Sequence, residues 1–220
     1  MKPLLIVANL KSNFTNSEAK KWLEGISSVS SKISNIPNKK IIICPSFTLL
    51  QTFKKFIDEH KLQVYLGAQN ISRLPAGPYT GEVNGSQIKD FADYVIVGHS
   101  ERRAFGEDES VVEEKIKMSV DYNLNPILCV QNINNKIPKE VSVVAYEPVF
   151  AIGTGNPDTP ENAENISKEI KDNNKTSVLY GGSVAPDNVR KFTDKEHIDG
   201  VLVGNASLDP FEFFKVVENA

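Results

Sequence analysis

Eight short apolar runs, at residues 4–8, 41–44, 64–68, 94–98, 127–130, 141–147, 177–181 and 200–204, punctuate the chain from one end to the other. Each is nearly continuous in Ile, Val, Leu, Ala and Tyr and does not alternate with polar residues, which is the pattern of a strand covered on both faces. Between most of them lie helical patterns. Residues 17–33 open on Ser17 and carry Trp22, Ile26, Val29 and Ile33; residues 107–122 space Val112, Ile116 and Val120 four apart; residues 210–217 present Phe211, Phe214 and Val217. Strand and helix in strict alternation require parallel pairing with right-handed crossovers. Eight such units in 220 residues make one domain, 1–220, and a closed (β/α)8 barrel at the short end of its size range. A doubly wound open sheet is the competing architecture. Its Gly-rich turn after the first strand is missing, because Ala8-Asn9-Leu10-Lys11 stands where G-x-G-x-x-G would be needed.

One unit is too short. Only residues 131–140 separate the fifth and sixth runs, and they include Asn132, Asn134, Asn135 and Pro138. A parallel crossover normally takes a dozen residues or more with a helix inside it, and these residues favour turns. The fifth outer helix is therefore expected to be missing or reduced to a single turn.

Bulk properties remove several function classes. A net charge of −3 and a pI near 5.7 give no electrostatic footprint for nucleic acid or an anionic membrane. The apolar start at residues 3–8 is too short for a secretory h-region, and no run reaches membrane-spanning length. Cys44 and Cys129 follow separate strand patterns, so they read as free thiols of a reducing compartment, neither a disulfide nor a zinc site. The expected location is the cytoplasm.

Barrel active sites lie at the C-terminal ends of the strands. Asn9 and Lys11 follow the first run, and Gly98-His99-Ser100-Glu101-Arg102 the fourth. The sixth leads into Tyr146-Glu147-Pro148-Val149-Phe150-Ala151-Ile152-Gly153-Thr154-Gly155, the seventh into Tyr180-Gly181-Gly182-Ser183-Val184, and the eighth into Gly204-Asn205-Ala206-Ser207. Glycines gather in the last three, where backbone N–H groups can approach an anion, and the seventh and eighth loops are the usual phosphate site of this architecture.

The ordered strings GHSERR, YEPVFAIGTG, YGGSV and LVGNASL, with N-x-K near the start, GAQN at 67–70 and YTGE at 79–82, closely resemble the triosephosphate isomerase family. The resemblance covers residues 6 to about 208 and implies the TIM barrel and the interconversion of dihydroxyacetone phosphate and D-glyceraldehyde 3-phosphate, in glycolysis and gluconeogenesis. It implies that Glu147 is the base moving a proton between C1 and C2, and that Val149 and Phe150 on a closing loop dehydrate it. His99 resembles the neutral imidazole that polarises the carbonyl and shuttles protons between oxygens. Lys11 supplies fixed positive charge and Asn9 a neutral donor. Gly153, Ser183, Gly204 and Asn205 grip the phosphate through backbone amides. Glu101 orients the catalytic group or pairs with Lys11, and Arg102 and Arg103 are ion-pairing scaffold. Residues 148–154 form the lid. The chemistry is acid–base alone, with no cofactor or metal.

The resemblance also implies a homodimer, in which the long loop 71–84 inserts into a neighbouring copy and Thr80 reaches its Asn9–Lys11 region. Leu10 and Phe150 stand where the family usually has tryptophan, Asn132 where it has glutamate, and Asn205 in place of a glycine; Asn is the mildest replacement if that site needs positive φ. Two other readings keep the scaffold: an isomerase of larger sugar phosphates, and a phosphate-binding or adhesion protein without turnover. The combination of Asn9, Lys11, His99 and Glu147 argues against both.

Overall fold

The computed structural model describes residues 3–29 and 37–220. Its eight parallel strands are β1 (Leu4–Asn9), β2 (Lys39–Cys44), β3 (Tyr65–Ala68), β4 (Tyr94–Val97), β5 (Asn125–Val130), β6 (Val143–Tyr146), β7 (Ser177–Tyr180) and β8 (Gly200–Val203). They pair in sequence order and close, with Leu5 opposite Gly200 at the β1–β8 seam. A Cβ on Gly200 would lie 2.0 Å from the Leu5 carbonyl oxygen, so the seam closes only over a glycine.

The continuous apolar runs have a simple cause. Leu5, Val7, Ile42, Ile96, Ile127, Cys129, Val143, Ala145, Leu179 and Leu202 fill the lumen, while Ile6, Ala8, Ile41, Ile43, Val95, Leu128, Val144 and Val201 pack outward under the helices. Both faces exclude water, so alternation vanishes from the sequence. Each fully buried Ile, Leu or Val contributes roughly 1.5–3 kcal/mol of transfer free energy.

Outer helices cover the wall at Asn16–Ser28, Leu50–His60, Gly85–Lys89, Glu109–Asp121, Pro160–Asn173, Val189–Thr193 and Pro210–Asn219. The first starts at Asn16 because Thr15 and Glu18 form a reciprocal capping box; Asp108 and Asp209 cap the helices that follow them. The portion of the expected 17–33 helix beyond residue 29, Ile33 included, lies outside the described residues. Two assigned faces need correction. Val120 is exposed, and Lys115 and Ser119 take the inward places beside Val112 and Ile116. At 100° per residue a spacing of four drifts, which leaves Val120 roughly 90° from the centre of the buried face. Phe211 is likewise exposed, because the helix buries the side defined by Phe213, Val216 and Val217.

Between β5 and β6 there is no helix. Asn135 closes the short crossover instead, its side-chain oxygen accepting from the backbone N–H groups of Gln131 and Asn132 at 2.9 and 3.2 Å. Cys44 and Cys129 are free and buried. No helix among the described residues is long and apolar enough to cross a membrane.

Candidate active site

The period-two alternation of the lumen residues carries the site. Leu5 and Val7 point inward, so Asn9 continues that series at the mouth of β1; Val143 and Ala145 deliver Glu147, Leu179 delivers Gly181, and Leu202 delivers Gly204. Gly98, at φ +69°, breaks the series at the end of β4 and presents His99. One pocket is lined by Asn9, Lys11, His99, Glu147, Gly153, Ser183, Gly204 and Asn205, together with Ile152, Gly181, Val184 and Leu202. It thus collects every residue expected to act on substrate or phosphate.

Glu147 is 2 % exposed. Its Oε1 lies 3.1 Å from His99 Nε2, and its Oε2 accepts from the Ser100 backbone N–H at 3.1 Å. Gly181 makes room for it, since a Cβ there would sit 2.9 Å from Glu147 Cγ. His99 caps the short helix Ser100–Ala104, and its Nδ1 accepts from the Glu101 N–H at 3.2 Å. With Nδ1 used as an acceptor, the ring proton belongs on Nε2, where it faces the pocket. Burial disfavours a charged ring, but the Glu147 carboxylate and, less strongly, Glu101 outweigh it and raise the His99 pKa in this arrangement. That push depends on the Glu147 contact, and a second proton would have to displace the Glu101 N–H from Nδ1. Burial and the Glu147 charge together push the Cys129 thiol up, so it stays protonated beneath the site.

Lys11 adopts φ +51°, a left-handed conformation that costs a residue with a side chain about 1–2 kcal/mol. Three hydrogen bonds act at this turn. The Lys11 N–H donates to Asn9 Oδ1 at 3.1 Å, while Gln69 Nε2 donates to the carbonyls of Lys11 and Cys44, each at 2.8 Å. The ammonium pairs with Glu101 Oε1 at 2.6 Å and lies beside Gly204. The main contact of Glu101 is this pairing with Lys11, its other oxygen lying 3.7 Å from His99 Nδ1. Gln69 received no role from the sequence reading, although it lies within the GAQN string. An amide that bonds carbonyls of distant segments carries no local pattern.

No hydrogen bond among the described residues takes the backbone N–H of Gly153, Ser183, Gly204 or Asn205. Unclaimed amides converging beside a lysine are the ordinary makings of an oxyanion site. Asn205 does not occupy the left-handed region; it opens a 3-10 turn, so positive φ plays no part in its tolerance.

Val149 and Phe150 are 60 % and 62 % exposed and do not cover Glu147; the barrel mouth itself buries the carboxylate. The Ser183 side chain is engaged as well. Its hydroxyl donates to the Ala151 carbonyl at 2.5 Å and accepts from the Gly155 N–H at 3.2 Å, holding the lid at two points. Arg103 is scaffold as expected, spanning Gly98 O, Cys129 O and Glu109, and Asn135 joins it through Glu109. Asn132 caps its own turn by accepting from Asn134 N–H, so this Arg103 cluster supports the β5 mouth without the family's glutamate. Thr80 sits in the exposed stretch of loop 71–84, away from the pocket.

A family model described as triosephosphate isomerase matches residues 4–220. A triosephosphate isomerase of Trichodesmium erythraeum is 36% identical over 242 residues, covering 99% of each chain. Those of Aquifex aeolicus and Mycoplasmopsis pulmonis are 37% and 38% identical, each covering at least 97% of this chain and 98% of the relative.

Proposed function

The chain belongs to the triosephosphate isomerase family, and from that premise we propose that it interconverts dihydroxyacetone phosphate and D-glyceraldehyde 3-phosphate through an enediolate. Glu147 is the base that removes and returns the carbon-bound proton, which one carboxylate can do if C1 and C2 lie side by side above it. His99 donates its Nε2 proton towards the carbonyl oxygen, and Lys11 with Asn9 stabilises the negative charge that develops there. The phosphate lies against the N–H groups of Gly153, Ser183, Gly204 and Asn205. Substrate oxygen competes with Glu147 for His99 Nε2, so binding frees the carboxylate to turn towards carbon. Closure of residues 148–155 then brings Val149 and Phe150 over it and expels water, which strengthens these interactions and protects the intermediate.

The observation that carries this reading is a pocket in which a buried carboxylate and an imidazole stand 3.1 Å apart beside a lysine and four backbone amides that no hydrogen bond among the described residues takes. A coupled isomerase assay tests it. Wild type should turn over both trioses, and Glu147→Asp and His99→Gln should each lose about 10²- to 10⁴-fold in kcat with unchanged circular dichroism. A wild-type chain that binds a phosphate analogue without turnover overturns the proposal.

The working form is a homodimer. A groove lined by Asn13, Phe14, Thr15, Ser46, Phe47 and Thr48 opens beside Lys11, and loop 71–84 has the exposed, self-bonded form suited to fill that groove on a second copy. Thr80 would then reach the Asn9–Lys11 turn. Two reduced, buried thiols fit a cytoplasmic setting.

A further inference from the structure

Asp158 is a buried carboxylate that the reaction above leaves unused. It is 7 % exposed, and no ion pair among the described residues includes it. Such a group is costly to bury unless its lone pairs are taken up. Here they are. Oδ1 accepts from the Thr159 N–H at 2.8 Å, and Oδ2 accepts from Asn162 Nδ2 at 2.7 Å and from the Tyr146 hydroxyl at 3.2 Å. Its own N–H donates to the Tyr180 hydroxyl at 2.7 Å.

Helix capping accounts for only part of this. The helix Pro160–Asn173 already has its cap in Thr159, whose side chain accepts from the Asn162 N–H. The bond to Tyr146 runs elsewhere, to the last residue of β6, immediately before Glu147. Tyr146 and Asp158 lie on either side of the lid, and their contact shuts its base. Tyr180 fixes the same point to β7, with its ring stacked on Phe192 at 3.9 Å. Burial pushes both tyrosine hydroxyls up, and at Tyr146 the Asp158 charge adds to it, which keeps Tyr146 a donor. Above this base the lid can swing at Gly153 and Gly155, which adopt φ +69° and +77°.

We propose that Asp158 is a positioning residue for the isomerisation, clamping the root of the lid to β6 through Tyr146 so that lid closure and the approach of Glu147 share one fixed frame. The inference rests on the isomerase reading and extends it to a residue that touches no substrate. Misplacement of a base by about an ångström can cost up to about a hundredfold in rate, so loosening the frame should be visible in turnover.

The test is a double-mutant cycle with Asp158→Ala, Tyr146→Phe and the pair, assayed against both trioses and followed by hydrogen exchange of amides 149–155. Tyr146→Phe removes one hydroxyl and keeps the ring packing, so it stays informative if Asp158→Ala folds poorly. Each single change should lower kcat/KM about tenfold, and the pair should be no worse than the poorer single variant. In Tyr146→Phe the lid amides should exchange faster with the melting temperature unchanged, and Asp158→Asn, which keeps one acceptor oxygen, should recover part of the loss. Additive losses, or a lowered melting temperature with normal kcat/KM, overturn the inference while leaving the isomerase reading intact. An inactive wild type overturns both.

Discussion

Asn205 stands where the family has glycine, and the reason it is tolerated differs from the one its side chain suggests. The residue opens a 3-10 turn with ordinary negative φ, it lines the pocket, and neither its side chain nor its N–H makes a hydrogen bond among the described residues. On the phosphate grip proposed above, only its backbone is used. Asn205→Gly should therefore change kcat/KM by less than about fivefold, the size of a backbone-entropy cost of about 1 kcal/mol. A hundredfold loss in the coupled assay would mean that the side chain holds substrate. Lys11 is the opposite case. Its left-handed conformation is imposed by Asn9 and Gln69, and strain retained at a charged residue in a pocket points to selection for where its ammonium lies.

At the scale of the element, a charge cluster centred on buried Glu107 and Lys115 joins the His99 turn to the long loop. Arg102 Nε donates to Glu107 Oε1 at 2.6 Å, Lys115 reaches the same oxygen, and Lys115 Nζ donates to Asn70 Oδ1 at 2.7 Å at the root of residues 71–84. Burial alone would raise the Glu107 pKa, but the Lys115 and Arg102 hydrogen bonds prevail and hold it below the ordinary carboxylate value. A depressed carboxylate contributes stability that is present above its unfolded pKa and lost as pH falls through its folded one. Glu107→Gln should cost about 3 kcal/mol near neutrality, because Lys115 is left buried without its counter-charge. The gap in melting temperature from wild type should narrow as pH is lowered to about 3. A gap that stays constant with pH would show that the charge of Glu107 is not what stabilises this junction. Of this cluster only the ion-pairing role of Arg102 was readable in sequence, since Glu107 and Lys115 look like the solvated face of a helix. The strands were readable because burial on both faces removes polar residues from them, and the missing helix because ten residues between runs cannot hold one. Within the site, Asn9, Lys11, His99 and Glu147 were legible because each follows a strand-like run, where a barrel puts its active site, and falls inside one of the ordered motifs. The state of the lid, the Ser183 latch and the roles of Gln69 and Asp158 depend on contacts between distant segments, which leave no local pattern.

At the scale of the whole molecule, the homodimer proposed above rests on one loop. Residues 75–82 project from the barrel with every side chain exposed, yet the loop is held, by Glu82 N–H to Tyr79 O at 3.0 Å, by Ala76 N–H to the Tyr122 hydroxyl at 3.4 Å and by the Arg73–Glu114 pair at its side. Its two ends meet, Ser72 N–H donating to Val83 O at 2.8 Å. The projection can therefore be cut away without parting the segments that hold it, which makes it a clean test of what it is for. Wild type should sediment at twice the chain mass of 24.3 kDa. A variant in which a short Gly-Ser turn replaces 75–82 should sediment as a monomer and keep its circular dichroism. It should lose about a hundredfold in kcat/KM, because the strained Lys11 turn would then lack the neighbour that packs against it. A shortened chain that is monomeric and fully active would separate catalysis from assembly. One that remains dimeric would move the interface to another face of the barrel.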